Sequence, residues 1–291
     1  MMKLHALLLA SAFAFAATSA GAQTVHDTDL AALNTGTAVT TTTANGTTTT
    51  VSGARQSAPV TTGAWQQANV GGGATVGITR DYARNGNGSA YFATTDAGSK
   101  ADLQYYFAAP VALSSLNSVS FDWYRDGAST AGVLFAPVLR FDIFKTGEFA
   151  GSLVFENYYQ GEVNAATDSW TTLTATLNSG DIWATNAKLG PTFAAANGGE
   201  KTFQQWLDDN GSAELTVYGV SIGVGSGWSG AFTGAVDNVA FNFTNGPSAN
   251  FNFEVAAGVP EPASWALMIA GFGLVGGALR RRTAKPATVI A

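Results

Sequence analysis

The feature that most limits the fold is a series of short stretches in which apolar and polar residues alternate, separated by Gly, Asn, Asp and Ser. In NSVSFDWY, Val119, Phe121 and Trp123 fall on one face of a strand and the residues between them on the other. PVLRFDIF, SLVFENYY, LTVYGVSIGVG and GAVDNVAFNF are further stretches of this kind. Only the stretch around Phe203–Leu207 has helical spacing, with apolar residues at i, i+3 and i+4. The pattern predicts an all-β fold: an antiparallel two-sheet β-sandwich, jelly-roll-like, with one short helix.

Charge and residue types exclude several classes of protein. Between residues 23 and 279 there are nine Lys or Arg against all twenty Asp and Glu, a net charge of −11, which argues against a nucleic-acid partner. The chain has no cysteine, so disulfides and thiolate sites are excluded. His5 and His26 both precede the predicted sandwich, which leaves that region without a Ser-His-Asp triad or a histidine metal site. We expect no metal and no cofactor.

The N-terminus has the pattern of a secretory signal peptide over residues 1–22. Lys3 is followed by an apolar stretch and by the small residues Ala20, Gly21 and Ala22, which makes Gln23 the expected first residue of the mature protein. The alternative, an N-terminal core helix, fits poorly because the run is short and ends on small residues. We therefore expect export, with a signal helix that is later removed.

Near the C-terminus, residues 263–279 are apolar or small and are followed at once by Arg280, Arg281 and Arg282. Such a run is near the lower length limit for a membrane-spanning helix, and the arginines predict that residues 280–291 remain cytoplasmic. Pro260 and Pro262 interrupt any helix from upstream, so residues 255–262 are expected to be a linker. The pattern predicts a C-terminal transmembrane helix.

The succession Pro260-Glu261-Pro262, Trp265-Ala266, Gly271-Phe272-Gly273 and Arg280–Arg282 resembles a PEP-CTERM sorting signal, more narrowly its PEPxxWA variant. The resemblance covers about the last 30 residues. It implies a Gram-negative bacterium that makes exopolysaccharide, and an exosortase, an integral-membrane cysteine peptidase, that recognises and cleaves the tail. The protein would be tethered to the membrane until it is processed. A plain tail anchor has the same membrane properties and differs only in whether the protein is later released.

The body of the chain divides into two parts. Residues 23–64 are rich in Thr and centred on Asn45-Gly46, a strong hairpin signal, so this segment is either a β-hairpin on the main sheet or a stalk. Residues 65–254 form the predicted sandwich. The order SVSFDWYR, SWTTLTATL, a helix, a strand and VDNVAF resembles the laminin IV (laminin B) domain, which implies a binding or structural module without catalysis.

The candidate binding residues lie on the polar faces of three predicted strands. If these strands are neighbours, their carboxylates, arginine and tyrosines form one patch of the kind that binds sugars, by stacking and hydrogen bonding. An ordinary solvated face is the alternative. Trp228, in a glycine-rich loop, is the expected exposed aromatic residue, whereas Trp123, Trp170 and Trp183 are expected in the core. The candidates are Asp122, Tyr124, Arg140, Asp142, Glu156, Tyr158 and Trp228.

Two functions remain open. The first is a non-enzymatic surface or extracellular-matrix protein, exported and sorted by an exosortase-like system, whose sandwich binds or organises extracellular polysaccharide. The second is a polysaccharide-acting hydrolase or lyase on the same scaffold, since a glycosidase needs only two suitably spaced carboxylates. No motif in the sandwich fixes such a pair.

Overall fold

The structure is a computed structural model that describes residues 21–33, 37–161, 164–190, 200–211, 215–257 and 262–283. Residues 1–20 of the expected signal peptide lie outside these ranges, as do Pro260 and Glu261 of the sorting motif. At Pro262, Trp265, Arg281 and Arg282 only the backbone is described, and Arg280 is exposed. The described residues fall into two compact units, which divide between Val255 and Ala256.

The first unit contains fifteen described strands and one α-helix. The strands are β1 (Gln23–His26), β2 (Ala38–Thr43), β3 (Gly46–Val51), β4 (Trp65–Gly71), β5 (Ala74–Thr79), β6 (Ser89–Thr94), β7 (Lys100–Ala112), β8 (Leu116–Arg125), β9 (Val138–Lys145), β10 (Glu148–Phe155), β11 (Trp170–Thr176), β12 (Ile182–Ala184), β13 (Leu215–Gly225), β14 (Phe232–Phe243) and β15 (Ser248–Glu254). The helix is α1 (Phe203–Asn210), and short 3₁₀ turns follow β7 (Leu113–Ser115) and β10 (Asn157–Gln160).

The strands form two sheets. In the larger sheet, one edge of β14 pairs with β8, which in turn pairs with β11. The other edge of β14 pairs with both β6 and β15. From β6 the sheet continues through β5 and β3 to β2, and from β15 it continues to β1. The smaller sheet has the order β12-β10-β9-β13-β7-β4. Of the described strand pairs, only β1 with β15 is parallel. The predicted antiparallel two-sheet sandwich is confirmed.

The core lies between the two sheets and contains the apolar faces predicted from alternation. Val119, Phe121 and Trp123 of β8 are at most 1% exposed, and the apolar residues of β9 between Leu139 and Ile143 are fully buried. Phe121 of the larger sheet meets Phe155 of the smaller one edge to face, with ring centroids 6.0 Å apart. Each such side chain contributes about 2 kcal/mol of burial free energy, so the alternating faces hold the sheets together.

Helix α1 forms where the sequence predicts it. Thr202 and Gln205 make a reciprocal capping box at its start, which satisfies two backbone N–H groups of the first turn. Phe203, Trp206 and Leu207 are fully buried, and the Trp206 indole N–H donates to the carbonyl of Ile182 at 2.9 Å. The helix thus closes one end of the core.

The Thr-rich segment belongs to the sandwich. Strands β2 and β3 form the predicted hairpin about Asn45-Gly46, and β3 pairs with β5 over its whole length. One face of the hairpin packs inward, because Thr49 and Val51 are fully buried. Strand β1 pairs with β15, so His26 lies within the folded unit, contrary to the expectation that this unit has no histidine.

The second unit contains helix α2 (Pro262–Thr283). Its described side chains, from 266 to 280, are exposed. Within the part of the chain that the structure describes, no helix is both long and apolar enough to cross a membrane. The helix expected at 263–279 forms within α2, and its membrane-spanning role stays a prediction.

Candidate functional site

The structure divides the predicted polar patch between the two sheets. Asp122 and Tyr124 lie on β8, in the larger sheet. Arg140 and Asp142 lie on β9, in the smaller sheet, and Glu156 follows β10 in that sheet directly. Tyr158 lies in the 3₁₀ turn that comes next. The candidates therefore belong to two opposite outer faces of the sandwich.

On the smaller sheet, the polar face is organised around Asp102 of β7, a residue that sequence reasoning missed. Asp102 is 2% exposed, yet its carboxylate has three partners. Arg140 donates to Oδ1 at 2.9 Å, while Lys100 and Asn69 donate to Oδ2 at 3.1 and 3.0 Å. Burial lowers the pKa of Lys100, and the neighbouring Asp102 carboxylate opposes that shift. A buried carboxylate thus fixes the positions of two cationic side chains.

A glycine makes this arrangement possible. Strand β13 runs between β7 and β9, and its Gly223 lies directly beside Asp102. A Cβ at this position would overlap the Asp102 carboxylate, so only glycine leaves room for Arg140 to reach across the strand. The sequence signal for this close approach of Asp102 to β13 is the glycine within the strand LTVYGVSIGVG.

Asp142 is the second buried carboxylate of this face, at 8% exposure. The Gln104 amide donates to one of its oxygens and the Ser152 hydroxyl donates to the other at 2.9 Å. Burial raises the pKa of Asp142, and these two hydrogen bonds oppose the shift. Burial, together with the charge of Asp142, raises the pKa of Tyr106 to about 12, so this tyrosine is neutral near pH 7.

Two adjoining hollows above these residues form what we term the polar groove. They share Lys100, Arg140 and Thr185, and their volumes are about 490 and 270 Å³. Ligand clefts usually have volumes of about 300–1,000 Å³, so the groove is large enough for a small segment of a polymer. The larger hollow is also lined by Gln66, Asn69, Gln104, Tyr106, Asp142 and Phe149, and the smaller by Glu156, Trp183 and Trp228.

Glu156 lines the smaller hollow. The Trp183 indole N–H donates to its Oε1 at 2.9 Å. Burial raises the pKa of Glu156 to about 7, against the opposing effects of this hydrogen bond and of the positive charge on Arg140. The side chain therefore exchanges a proton near neutral pH, which is a property of general acids as well as of buried structural carboxylates.

The expectation that Trp228 is the exposed aromatic residue is wrong. It is 8% exposed because its ring stacks on Phe135, at 4.8 Å and 10°, and meets Phe232 edge to face. The loop folds back onto the core and leaves only part of Trp228 at the wall of the smaller hollow. Phe149 of β10, which lines the larger hollow, is 51% exposed.

The remaining candidates lie on the outer face of the larger sheet. Asp122 is paired with Arg84 at 3.0 Å and accepts from the Asn238 amide at 2.7 Å. Tyr124 stacks on Tyr82 with centroids 4.6 Å apart, and its other neighbour is Trp170 at 5.6 Å. Trp170, expected in the core, is half-buried on this outer face, and Trp183 is likewise half-buried.

Within the described residue ranges, no three His, Cys, Asp or Glu side chains are grouped closely enough to hold an ion. The polar groove offers hydrogen-bond donors and acceptors with fixed positions, two cations and four aromatic rings.

Comparison with known proteins identifies the tail. The family model of the PEP-CTERM protein-sorting motif matches residues 258–282, which confirms the resemblance seen in the sequence. Such motifs mark proteins for export to the cell surface through an exosortase-type sorting system. No curated protein matches the chain at a significant level.

Solved structures offer only distant likenesses to the sandwich. A family 11 carbohydrate-binding module of a Clostridium thermocellum cellulosomal cellulase is 15% identical, with 64% of this chain and 90% of that chain covered and a TM-score of 0.36. A family 11 module from the same organism, in complex with a β-1,3-1,4-mixed-linked tetrasaccharide, is 14% identical, with 62% of this chain and 89% of that chain covered and a TM-score of 0.35. A module specific for non-crystalline cellulose is 12% identical, with 62% of this chain and 88% of that chain covered and a TM-score of 0.30. At these TM-scores the likeness is too weak to support an argument about a ligand.

Proposed function

We propose that this protein is a non-enzymatic component of the bacterial cell surface or extracellular matrix, and that it binds extracellular polysaccharide in the polar groove. Its tail would direct it there by way of an exosortase-like peptidase in a Gram-negative bacterium. The observation that carries the proposal is the polar groove itself, where two buried carboxylates hold a set of hydrogen-bonding side chains above the smaller sheet.

Several features of the polar groove suit a sugar polymer. Arg140 and Lys100 are held by Asp102, and Gln104 by Asp142, so these donors lose little conformational freedom when a ligand binds. Tyr106, Phe149 and Trp183 supply ring surface for the apolar face of a pyranose. A preorganised mixture of rings and polar groups is what a hydroxyl-rich ligand requires.

The direct test is affinity electrophoresis of the purified protein in gels containing hydroxyethylcellulose, dextran, alginate or hyaluronan. Phe149→Ala removes the exposed ring of the polar groove, with Val133→Ala as a matched change at a 63% exposed loop residue. Arg140→Gln removes a fixed cation, with the exposed Arg80→Gln as its match. We expect a tenfold loss of affinity, or about 1.4 kcal/mol, in the groove variants only. If all four variants have the same mobility in a gel that retards the wild type, the polar groove is not the binding site.

The sorting step has its own test. Replacement of Pro260 and Pro262 by Ala removes the motif residues that the resemblance assigns to recognition, without changing the sandwich. We expect the tail to remain attached in the variant, so that its mass exceeds that of the mature wild-type protein. If both have the same mass in cells that contain the sorting peptidase, the tail is not a processing signal.

A second function, hydrolysis or lysis of a polysaccharide, is favoured by one observation. Glu156, whose pKa is raised to about 7 by burial, lines the polar groove together with Asp142, and a carboxyl group of this kind serves as general acid in glycosidases. Release of reducing sugar by the wild type, lost in Glu156→Gln and in Asp142→Asn, would establish this function. Binding without turnover would leave the non-enzymatic proposal standing.

A further inference from the structure

A continuous row of residues crosses the outer face of the larger sheet from one edge to the other. Trp170, Tyr124, Ala235, Tyr91, Gly77, Thr48 and Thr41 are successive register partners on β11, β8, β14, β6, β5, β3 and β2. Register partners share a face, and the face is the outer one because the neighbouring Trp123, Phe92 and Val236 are fully buried. Six strand spacings of about 4.8 Å make this row, which we term the aromatic row, about 29 Å long.

Two small residues, Ala235 and Gly77, flank Tyr91 in the aromatic row. Tyr82, from the loop between β5 and β6, lies between Tyr124 and Tyr91, with centroid distances of 4.6 and 6.3 Å. Ala235, buried but outside the core cluster, leaves the room that this ring needs. Trp170 continues the series 5.6 Å beyond Tyr124, and Arg84 lies over its ring at 5.9 Å. All four rings are half-buried, so each keeps accessible surface.

Beyond Tyr91 the row leads into a hollow of about 220 Å³ that is rich in hydroxyl groups. Its wall comes mostly from the hairpin β2–β3 and from β5. The lining side chains are Thr41, Thr43, Asn45, Thr48, Thr75, Thr79, Asp81 and Tyr91. One end of the aromatic row thus offers rings and the other offers hydrogen-bonding groups.

Carboxylates surround the aromatic row. The Tyr82 hydroxyl donates to Asp126, and the Tyr124 hydroxyl donates to Asp168 at 3.2 Å. Burial, together with Asp126, raises the pKa of Tyr82, and burial, together with Asp81, raises that of Tyr91. These tyrosines stay neutral, and the negative charge beside them disfavours an anionic ligand. Arg84 does not reverse this, because it is paired with Asp122.

We propose that the aromatic row is a second binding site, for a neutral polysaccharide chain, on the face of the sandwich opposite the polar groove. Rings stack on pyranose faces, the threonine and carboxylate oxygens bind hydroxyl groups, and the length fits an extended chain. With both sites filled, the protein cross-links two polysaccharide chains. This last consequence rests on the proposed function of the polar groove, whereas the second site itself does not.

The test measures retardation of the purified protein by hydroxyethylcellulose and by dextran, both neutral, with alginate as the anionic comparison. Arg140→Gln is included as a common background, so that any groove contribution is reduced. Tyr82→Ala and Trp170→Ala truncate the row in a loop and on an edge strand, where the fold tolerates the change best. Tyr218→Ala, at a half-buried tyrosine of β13 that lines neither site, is the matched control.

We expect Tyr82→Ala and Trp170→Ala each to weaken binding of a neutral probe at least tenfold. Tyr218→Ala should leave this binding unchanged, and the row variants should leave alginate binding unchanged. Row variants that keep the near-ultraviolet circular dichroism of the Arg140→Gln background and bind both neutral probes as tightly as that background overturn the proposal. Absence of binding to either neutral probe overturns it as well. A change in sedimentation of the row variants without any glycan would identify the face as a contact between copies of this chain and also overturn it.

Cross-linking is measured by light scattering of hydroxyethylcellulose on addition of protein. The wild type should enlarge the scattering particles, and Tyr82→Ala and Phe149→Ala should each abolish this while one-site binding remains. If row variants lose binding but Phe149→Ala and Arg140→Gln do not, the polar groove fails and the aromatic row stands. The reverse result removes the aromatic row and leaves the polar groove.

Discussion

Glu156 should make the stability of the sandwich depend on pH in a way that a single substitution removes. Burial raises its pKa from 4.5 to about 7 in the folded chain. Between these values the folded protein binds more protons than the unfolded one, so this group lowers stability as pH rises from about 4.5 to about 7. One pKa unit corresponds to about 1.4 kcal/mol, so the whole effect is about 3 kcal/mol.

Glu156→Gln keeps an oxygen that can accept from the Trp183 indole N–H, and it cannot ionise. Any cost of the new amide group does not depend on pH, so it cancels when two pH values are compared. The free energy of unfolding of the variant, relative to that of the wild type, should therefore rise by about 3 kcal/mol between pH 4.5 and pH 8. The assay is urea unfolding of both proteins at each pH, followed by tryptophan fluorescence.

Glu148→Gln is the matched control, because Glu148 is exposed on β10 and the same charge is removed there. It should show no difference between the two pH values. If Glu156→Gln changes the free energy of unfolding by the same amount at pH 4.5 and at pH 8, the predicted pH dependence is wrong. It is also wrong if the variant is stabilised more at the lower pH than at the higher one. The polar groove would then hold an ordinary solvated carboxylate.

Two further changes test the structure away from Glu156. Arg125→Met removes a guanidinium that is 2% exposed and donates to the carbonyls of Ala131 and Phe135, both at 2.7 Å. Urea unfolding should show a loss of about 2–3 kcal/mol in the free energy of unfolding, and little loss for Arg80→Met at an exposed site. Gly77→Ala places a methyl group against the backbone of β3, so the hairpin β2–β3 should become sensitive to limited proteolysis. Gly53→Ala, where a Cβ makes ordinary contacts, should leave the hairpin protected. Equal sensitivity of both variants would contradict the pairing of β3 with β5.

The strand faces and the helix could be predicted from the sequence because both are local. Alternation placed Val119, Phe121 and Trp123 in the core, and helical spacing placed Phe203 and Trp206 there. In each case the side chains within one element decide the pattern. The sorting motif could be predicted for the same reason, since its parts follow one another within a few turns of chain.

Which strands are neighbours could not be predicted, since pairing depends on contacts between residues far apart in the chain. Asp122 and Asp142 occupy similar positions in similar strands, yet they lie in different sheets. The burial of Asp102 depends on Arg140, which reaches it across Gly223 of the strand between them. No pattern within any one of these strands contains that information.

The aromatic row shows the same limitation. Tyr91, Tyr124 and Trp170 are far apart in the chain, and only the register of the larger sheet aligns them. Trp170 was expected in the core, yet it shares a strand face with Thr172, Thr174 and Thr176, and that face is the outer one. Long-range register, more than local pattern, therefore determines where the binding residues meet.

The most direct test of the central claim, that the polar groove binds polysaccharide, is a titration followed by the indole N–H resonances of tryptophan. Trp183 lines the polar groove and donates to Glu156, whereas Trp206 is fully buried and donates to a backbone carbonyl. With the resonances assigned from Trp→Phe variants, the account predicts a saturable shift of Trp183 on addition of a retarding polysaccharide, with Trp206 unchanged. Binding that saturates without any shift of Trp183 would contradict it.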